Sequence, residues 1–252
     1  MTDVRERPSI DVLLPALNEE GAIGSVLAAI PKELVRHLWV VDNGSTDRTA
    51  VVAQAAGAIV QIEPRRGYGR ACLAGLRAMA IDPPDLVVFL DADGSDEPGE
   101  MGELVAPIVR GEADLVIGSR TRGAHQRGAL LPQAIFGNWL ATTLIRVWTG
   151  VRFTDLGPFR AVRWSSLQRL AMEDPTYGWT VEMQMKAARA GLRSAEIPVR
   201  YRRRVAGESK VTGTIRGTLF ASIKILSCLA RYAFWKPDAS DPTAQGDHPS
   251  RA

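Results

Sequence analysis

Residues 86–95 constrain the fold more than any other stretch of the chain. Five consecutive apolar residues are followed there by Asp91, Ala92, Asp93 and a glycine. An apolar run of this length predicts a strand that is buried on both faces of a parallel sheet. The two carboxylates follow at the carboxyl end of that strand, the edge where open α/β sheets bind ligands. Because they would repel each other without a cation, we predict that Asp91 and Asp93 bind a divalent metal ion together with a diphosphate.

An isolated triplet of this kind is more often a solvated turn, so the prediction depends on the rest of the chain. Short apolar strands alternate with helical patterns through the first half, which predicts a doubly wound, mostly parallel α/β sheet. The predicted strands cover residues 10–14, 38–41, 58–62, 86–90 and 114–117. After residue 122 the pattern changes to helices at 129–148, 164–172 and 177–186, a last strand at 194–201 and a helix from 213 to 235. We therefore predict one domain over 8–212, an amphipathic helical extension over 213–236 and a disordered tail over 237–252.

Polar residues follow several of these strands. Asn18 and Glu19 follow the first strand, and Asp42 ends the second. In a doubly wound sheet they converge with the aspartate pair at one edge, where Glu19 or Asp42 could accept hydrogen bonds from a base and a ribose. The alternatives are an acidic helix N-terminus at Glu19 and an Asx turn from Asp42 to Gly44.

A basic, glycine-containing loop precedes the third helix. Residues 65–70 include Arg66 and Gly67, which could place a cation and a flexible backbone beside phosphates. The alternative is a solvated basic turn. The glycine spacing differs from that of a dinucleotide-binding fingerprint.

The composition excludes some classes of function. The net charge of +3 is too weak to indicate nucleic acid, although it suits anionic substrates or a membrane surface. Two cysteines and three scattered histidines predict no zinc site, no disulfide framework and no histidine-based triad. The charged N-terminus predicts no signal peptide, and no apolar run is long enough to span a membrane.

Five motifs occur in the order typical of family-2 glycosyltransferases with the GT-A fold. They lie at residues 15–20, 42–47, 91–93, 118–120 and 204–210. The chain most resembles the branch that contains dolichyl-phosphate mannose synthases and bacterial polyprenyl-phosphate glycosyltransferases. The resemblance implies an inverting transfer of a hexose, mannose or glucose, from a GDP- or UDP-sugar, with Mg²⁺ or Mn²⁺.

The resemblance also implies roles for individual residues. Asp91 and Asp93 would hold the metal and the diphosphate, and Arg120, Arg204 and Lys210 would neutralise the donor and acceptor phosphates. The nucleotide-sugar would be bound by Pro15, Leu17, Asn18, Glu19, Asp42, Gly44, Arg66, Gly67, Asp91, Ala92 and Lys210. The sequence departs from the family in two places, since Ser95 stands where a glutamine is customary and we expect no C-terminal transmembrane hairpin.

The acceptor decides whether a general base is needed. A polyprenyl phosphate is already an anion and needs none, whereas a hydroxyl acceptor needs one. Glu182 is the candidate base for that alternative, a soluble family-2 transferase acting on a sugar, glycerol or glycolipid. Asp155 lies where the family has an acceptor-side loop, so we expect it to have a structural role.

The predicted C-terminal helix suggests contact with a membrane. It combines a broad apolar face with a narrow basic stripe formed by Arg216, Lys224 and Arg231. We therefore expect a peripheral enzyme at the cytoplasmic face of the membrane, with the helix at 129–148 as a second contact and homo-oligomers as a further option. The alternative is a helix that docks on the body or on a second copy.

Two other classes of function fit less well. A sugar-phosphate nucleotidyltransferase would need a basic, glycine-rich loop after the first strand, where this chain has acidic residues. A non-enzymatic scaffold would not need the two aspartates at 91 and 93. The sequence therefore predicts a metal-dependent transferase that uses a lipid-phosphate acceptor.

Overall fold

The computed structural model of the protein describes residues 7–205 and 225–237. These residues form a mixed sheet whose seven strands lie in the order β3-β2-β1-β4-β6-β5-β7. The strands are β1 Ile10–Ala16, β2 His37–Asp42, β3 Ile59–Ile62, β4 Leu86–Phe89, β5 Leu115–Ser119, β6 Arg160–Arg163 and β7 Ser194–Pro198. The predicted α/β sheet is confirmed, and every adjacent pair except those of β6 is parallel.

Helices connect the strands and cover both faces of the sheet. They are α1 Ile23–Ala29, α2 Thr49–Ala55, α3 Tyr68–Met79, α4 Met101–Val109, α5 Pro132–Thr149, α6 Trp164–Leu170 and α7 Trp179–Arg189. Helix α5 begins with a proline in its first turn and ends at Gly150, which adopts φ +77°. Both are common terminal signals, because the N–H group that proline lacks would have no acceptor within the first turn, and glycine tolerates the left-handed conformation.

Strand β6 was not predicted from the sequence. It is antiparallel to both neighbours, β4 and β5. Its four residues begin and end with arginine, so they lack the apolar run that identified the other strands. The fully buried Arg160 donates to the carbonyl oxygens of Leu156, Gly157 and Thr180, which allows an arginine to occupy the middle of a sheet.

Alternate residues of the central strands pack into two cores. Leu13 and Phe89 face the core that includes α3 and α7, whereas Val12 and Val88 face the core that includes α1 and α4. This period of two is the reason that a central strand needs apolar residues at every position. The phenyl ring of Phe89 lies 6.0 Å from the indole ring of Trp179 on α7, which fixes the strand before Asp91.

The C-terminal helical segment comprises residues 225–232 and packs on the domain body. Leu229 and Tyr232 are buried in the same core as α7, and the ammonium group of Lys186 lies 4.8 Å from the ring centroid of Tyr232. Leu226 and Phe234 are exposed. Half of the predicted interfacial helix, residues 213–224 with Arg216 and Lys224, and nearly all of the predicted tail lie outside the described residues. Within the described ranges, no helix is both long and apolar enough to cross a membrane.

Candidate active site

The loops after β1 and β2 are joined by hydrogen bonds between side chains and backbone. The backbone N–H of Asn18 donates to Ser45 Oγ at 3.0 Å, and Asn18 Oδ1 accepts from the backbone N–H of Thr46 at 2.8 Å. Asn18 adopts φ +55°, a left-handed conformation that asparagine tolerates better than most residues. Asp42 accepts from the backbone N–H of Ser45 at 2.8 Å. Asp42 and Glu19, which we predicted would bind the nucleoside, therefore lie on one connected rim.

A second set of contacts fixes the glycine-containing loop before α3. Asn43 Oδ1 accepts from the backbone N–H of Gly67 at 2.7 Å, and its Nδ2 donates to the carbonyl oxygens of Glu63 and Arg65. A Cβ atom at Gly67 would collide with the carbonyl oxygen of Pro175, so only glycine fits there. The sequence suggested an Asx turn at this asparagine, but it did not indicate that its side chain orients the basic loop.

The aspartate pair lies where the loops after β1, β4 and β7 meet. Asp93 is buried, and its Oδ2 lies 3.0 Å from a guanidinium nitrogen of Arg204. The same guanidinium lies 3.5 Å from the carboxylate of Glu19. Asp93 Oδ1 accepts from the backbone N–H of Ser95 at 2.8 Å. Arg204 thus connects the predicted nucleoside side to the predicted metal side.

The electrostatics of the pair fit a divalent cation. Burial and the neighbouring charge of Asp93 raise the pKa of Asp91 to about 7, although Arg204 and a hydrogen bond with Tyr68 act in the opposite direction. The described residues contain no group of three or more His, Cys, Asp or Glu side chains that could hold a metal alone. Two carboxylates would therefore leave coordination positions for the oxygens of a diphosphate and for water, a ligand set that suits Mg²⁺ or Mn²⁺.

Asp96 is a third acidic residue in this loop, which sequence reasoning missed. It is 2% exposed, and neither of its carboxylate oxygens has a hydrogen-bond partner within the described part of the chain. Burial and the charge of Asp91 raise its pKa well above the ordinary value. Its position three residues after Asp93 is the signal that could have identified it. The backbone of Asp96 pairs with that of Tyr201, which brings the segment after β7 over the loop.

Arg120 is held on the other side of the site by Asp155. Its guanidinium forms a bidentate pair with the carboxylate, with Nε 2.9 Å from Oδ2 and Nη2 2.7 Å from Oδ1. Its backbone N–H also donates to Asp155. Burial acts to lower the pKa of Arg120, but the hydrogen bonds and charge of Asp155 outweigh burial and raise it. The arginine lies 5.1 Å from the ring centroid of Tyr201. Asp155 was expected to be structural, and its contacts agree with that expectation.

The loop that carries Asp155 is fixed by two further side chains. Glu196 of β7 accepts from the backbone N–H groups of Thr154 and Asp155 at 2.8 and 3.1 Å. Asn138 of α5 donates to the carbonyl oxygen of Thr154 and accepts from the backbone N–H of Leu156. Because both neighbours of Asp155 are held, the position of Arg120 is set by α5 and β7.

The surroundings of Glu182 do not fit a general base, the role predicted for it with a hydroxyl acceptor. It is fully buried, and its carboxylate accepts from the backbone N–H groups of Glu173 and Asp174 at 2.9 and 2.7 Å. Its Oε1 also lies 2.7 Å from the ammonium group of the buried Lys186. These contacts occupy the carboxylate with groups of the protein wall, so the geometry gives it a structural role.

The other residues predicted to bind the nucleotide-sugar differ in position and exposure. Pro15 and Leu17 are half-buried at the end of β1, and Gly44 adopts φ +81° in the loop after β2. Ala92 is buried between the two aspartates, and Arg66 is exposed in the loop before α3. Lys210 lies outside the described residues.

Comparison with known proteins decides the family. The model of glycosyl transferase family 2 matches residues 11–170. The chain belongs to glycosyltransferase family 2. It is 39% identical over 230 residues to an uncharacterized glycosyltransferase of Mycobacterium tuberculosis, covering 90% of this chain and 97% of that protein.

Two further similarities bear on substrates. The undecaprenyl-phosphate mannosyltransferase of Micrococcus luteus is 30% identical over 234 residues, covering 87% of this chain and 94% of that enzyme. Glucosyl-3-phosphoglycerate synthase from Mycobacterium tuberculosis, solved with Mn²⁺, UDP-glucose and phosphoglyceric acid, matches with a TM-score of 0.70 and 27% identity. That match covers 92% of this chain and 81% of the synthase. The predicted family, GT-A fold and glycosyltransferase class are therefore confirmed.

Proposed function

We propose that this glycosyltransferase moves a hexose from a GDP- or UDP-sugar to a polyprenyl phosphate, with inversion at the sugar and with Mg²⁺ or Mn²⁺. The observation that supports it most is the arrangement of charge, since the half-buried Asp91 and the buried Asp93 lie beside Arg204, which pairs with Asp93, and Arg120 is fixed by Asp155. The similarity to an undecaprenyl-phosphate mannosyltransferase supports the same acceptor class.

The donor would lie along the rim formed by the loops after β1, β2 and β4. Glu19 and Asp42 would accept hydrogen bonds from the nucleoside, while Asp91 and Asp93 would hold the metal. When bound, the metal supplies positive charge that lowers the cost of releasing a nucleoside diphosphate. Arg204 contributes a fixed cation beside the same carboxylates, and we assign Lys210 to the donor and acceptor phosphates on the motif alone.

The acceptor would approach Arg120. A phosphate monoester is anionic at neutral pH, so its oxygen can attack the sugar without losing a proton to a protein base. Arg120 has a guanidinium held in one orientation by Asp155, which suits binding of a phosphate. The burial and ion pairing of Glu182 agree with a reaction that uses no glutamate base.

A transfer assay with competing acceptors tests this proposal. The enzyme would receive labelled GDP- or UDP-hexoses, Mn²⁺, a polyprenyl phosphate in detergent and phosphoglyceric acid, and products would be separated by extraction into organic solvent. We expect the label in the organic phase, with loss of the product in Arg120→Ala. Label that stays entirely in a water-soluble glycoside would contradict the lipid acceptor.

Transfer to a small phosphorylated hydroxyl acceptor is the second candidate. It is favoured by the structural similarity to glucosyl-3-phosphoglycerate synthase, whose solved complex contains phosphoglyceric acid. Arg120 would suit the phosphate or carboxylate of such a molecule equally well. The same competition assay separates the two candidates, because only one product partitions into solvent.

The lipid acceptor would place the enzyme at the cytoplasmic face of the membrane as a peripheral protein. We keep the C-terminal helix as one proposed contact, since Leu226 and Phe234 are exposed on its described part. A homo-oligomer remains a proposal that light scattering would test.

A further inference from the structure

Helix α5 presents an apolar face to solvent. Its buried side chains, including Ala141 and Ile145, lie on one side, while Ile135, Phe136, Trp139 and Val147 are 47%, 61%, 58% and 71% exposed. At ~100° per residue these four, with the exposed Arg146, span about 120° of the helix circumference. We call this set, Ile135, Phe136, Trp139, Arg146 and Val147, the α5 outer face. The rings of Phe136 and Trp139 lie 5.8 Å apart on it.

An exposed face of this size with two aromatic rings indicates a binding surface, because soluble proteins seldom expose clustered large apolar side chains. The charges around it narrow the choice of partner. The forty residues 115–154 contain five arginines and one histidine but no aspartate or glutamate. Arg122, His125 and Arg127 are exposed before the helix, and Arg152 is exposed just after it.

The helix is also attached directly to the acceptor side of the site. Asn138 holds the backbone on both sides of Asp155, the partner of Arg120. At the other end, the loop before α5 pairs with the segment after β7, because Gln126 accepts from the backbone N–H of Arg203 at 3.0 Å. A partner on the α5 outer face would therefore lie beside the elements that position Arg120 and Arg204.

We propose that the α5 outer face docks on an anionic lipid surface. Aromatic and aliphatic side chains would enter the interfacial region, and the flanking arginines would contact negatively charged head groups. A second copy paired through the same face would bring Arg146 and its basic neighbours together, with no carboxylate in residues 115–154 to compensate. The charge pattern thus favours lipid over self-association. The inference deepens the proposed function, since it would bring a lipid-borne phosphate to Arg120.

Vesicle co-sedimentation of the full-length protein tests this inference. Vesicles of phosphatidylcholine alone would be compared with vesicles containing about one third phosphatidylglycerol, and neither would contain polyprenyl phosphate. We expect binding to the anionic vesicles, and an affinity about tenfold weaker for Trp139→Gln or Phe136→Gln. Arg146→Glu should weaken binding to anionic vesicles more than binding to neutral ones. All three side chains are exposed, so each variant should have the same melting temperature as the wild type.

Two matched controls locate the contact. Ile81→Gln changes an apolar residue that is 89% exposed at the end of α3 and should bind as the wild type does. Phe234→Gln changes an 84% exposed residue near the C-terminal helical segment and should lose less affinity than Trp139→Gln. Failure of the wild type to bind, equal binding by Trp139→Gln, or a dimer that this change dissociates in light scattering would each overturn the inference.

The outcome is separable from that of the proposed function. Vesicle binding without transfer to any polyprenyl phosphate would refute the acceptor and leave the docking surface intact. Transfer in detergent without any vesicle binding would refute the docking surface alone.

Discussion

The proposed donor half of the site and the proposed acceptor half differ in how their charges are compensated. The proposed donor half contains Glu19, Asp91 and Asp93, and burial together with the charge of Asp93 raises the pKa of Asp91 to about 7. The proposed acceptor half contains Arg120, whose guanidinium forms a bidentate pair with Asp155. The first half carries negative charge that is only partly compensated by Arg204, whereas the second is compensated before any ligand binds.

This difference indicates what each half contributes. Without a bound cation, the acidic side chains of the donor half lower the folding stability relative to neutral side chains at the same positions. A bound cation removes this destabilisation. The acceptor half is already organised, so its arginine needs little rearrangement to receive a phosphate. The two halves should therefore respond to neutralising substitutions in opposite directions.

Asp91→Asn should give the largest effect on activity and tests the role of negative charge in the donor half. We expect transfer to fall by about a thousandfold because a metal ligand is lost. The unfolding free energy at pH 8 should nevertheless rise by about 1 to 3 kcal/mol, because a half-buried charge that the neighbouring Asp93 repels is removed. Asp82→Asn, at an exposed carboxylate, is the matched control. A less stable Asp91→Asn protein at pH 8 would contradict the electrostatic account.

Asp155→Asn should have the opposite effect on stability. The half-buried Arg120 would lose its counter-charge, so we expect a loss of about 3 kcal/mol in urea unfolding. The kcat/KM for the acceptor should fall by about tenfold to a hundredfold, while the thermal shift caused by the donor stays unchanged. Glu112→Gln, which breaks an exposed pair with Arg110, should leave the melting temperature unchanged. Equal losses of donor and acceptor binding would show that the two halves are not separate.

The sequence predicted the donor half better than the acceptor half, and the reason is physical. Asp91 and Asp93 directly follow an apolar strand, so local pattern alone places them at the sheet edge. Arg120 depends on Asp155, thirty-five residues later, and on Asn138 and Glu196 from other elements. Such pairings are set by the topology, and no local spacing reports them.

Two other features were missed for related reasons. Strand β6 is short and begins and ends with arginine, so hydrophobic periodicity did not distinguish it from a loop. Glu182 lies in an amphipathic pattern that gives no sign of its buried ion pair with Lys186. A buried polar residue is recognisable only when its partners are known.

The pH dependence of metal binding tests the electrostatics of the donor half, and we expect a smaller effect than those of the substitutions above. The folded-state pKa of Asp91 lies above the ordinary value of 3.8, so the folded protein holds a proton that the unfolded chain has lost. Stability contributed by that proton is lost as pH rises from about 4 to 7 and then levels off. Mn²⁺ must displace the same proton, so calorimetry should show about tenfold weaker binding per pH unit below 7. If the affinity for Mn²⁺ is the same at about pH 5.5 and at about pH 7, Asp91 is not the group whose proton the metal displaces.

Glu182→Gln should give the smallest effect on turnover. We expect kcat to stay within about threefold of the wild type, since the carboxylate contacts the protein wall and not the acceptor. Stability should fall by about 2 kcal/mol, because Lys186 loses its buried counter-charge. Steady-state kinetics and urea unfolding of the same preparation measure both. A hundredfold loss of kcat at unchanged stability, about the effect of removing a base, would restore Glu182 as the base of a hydroxyl-acceptor enzyme.

We infer that a metal ion and a nucleoside diphosphate sugar together neutralise and fill the acidic donor half. Thermal unfolding of the full-length protein with GDP- and UDP-hexoses, each with and without Mn²⁺, tests it most directly. We expect the melting temperature to rise by about 3 °C or more with one of the two nucleotide classes, and only when Mn²⁺ is also present. An equal shift without the metal, or no shift with either nucleotide and Mn²⁺, would contradict it.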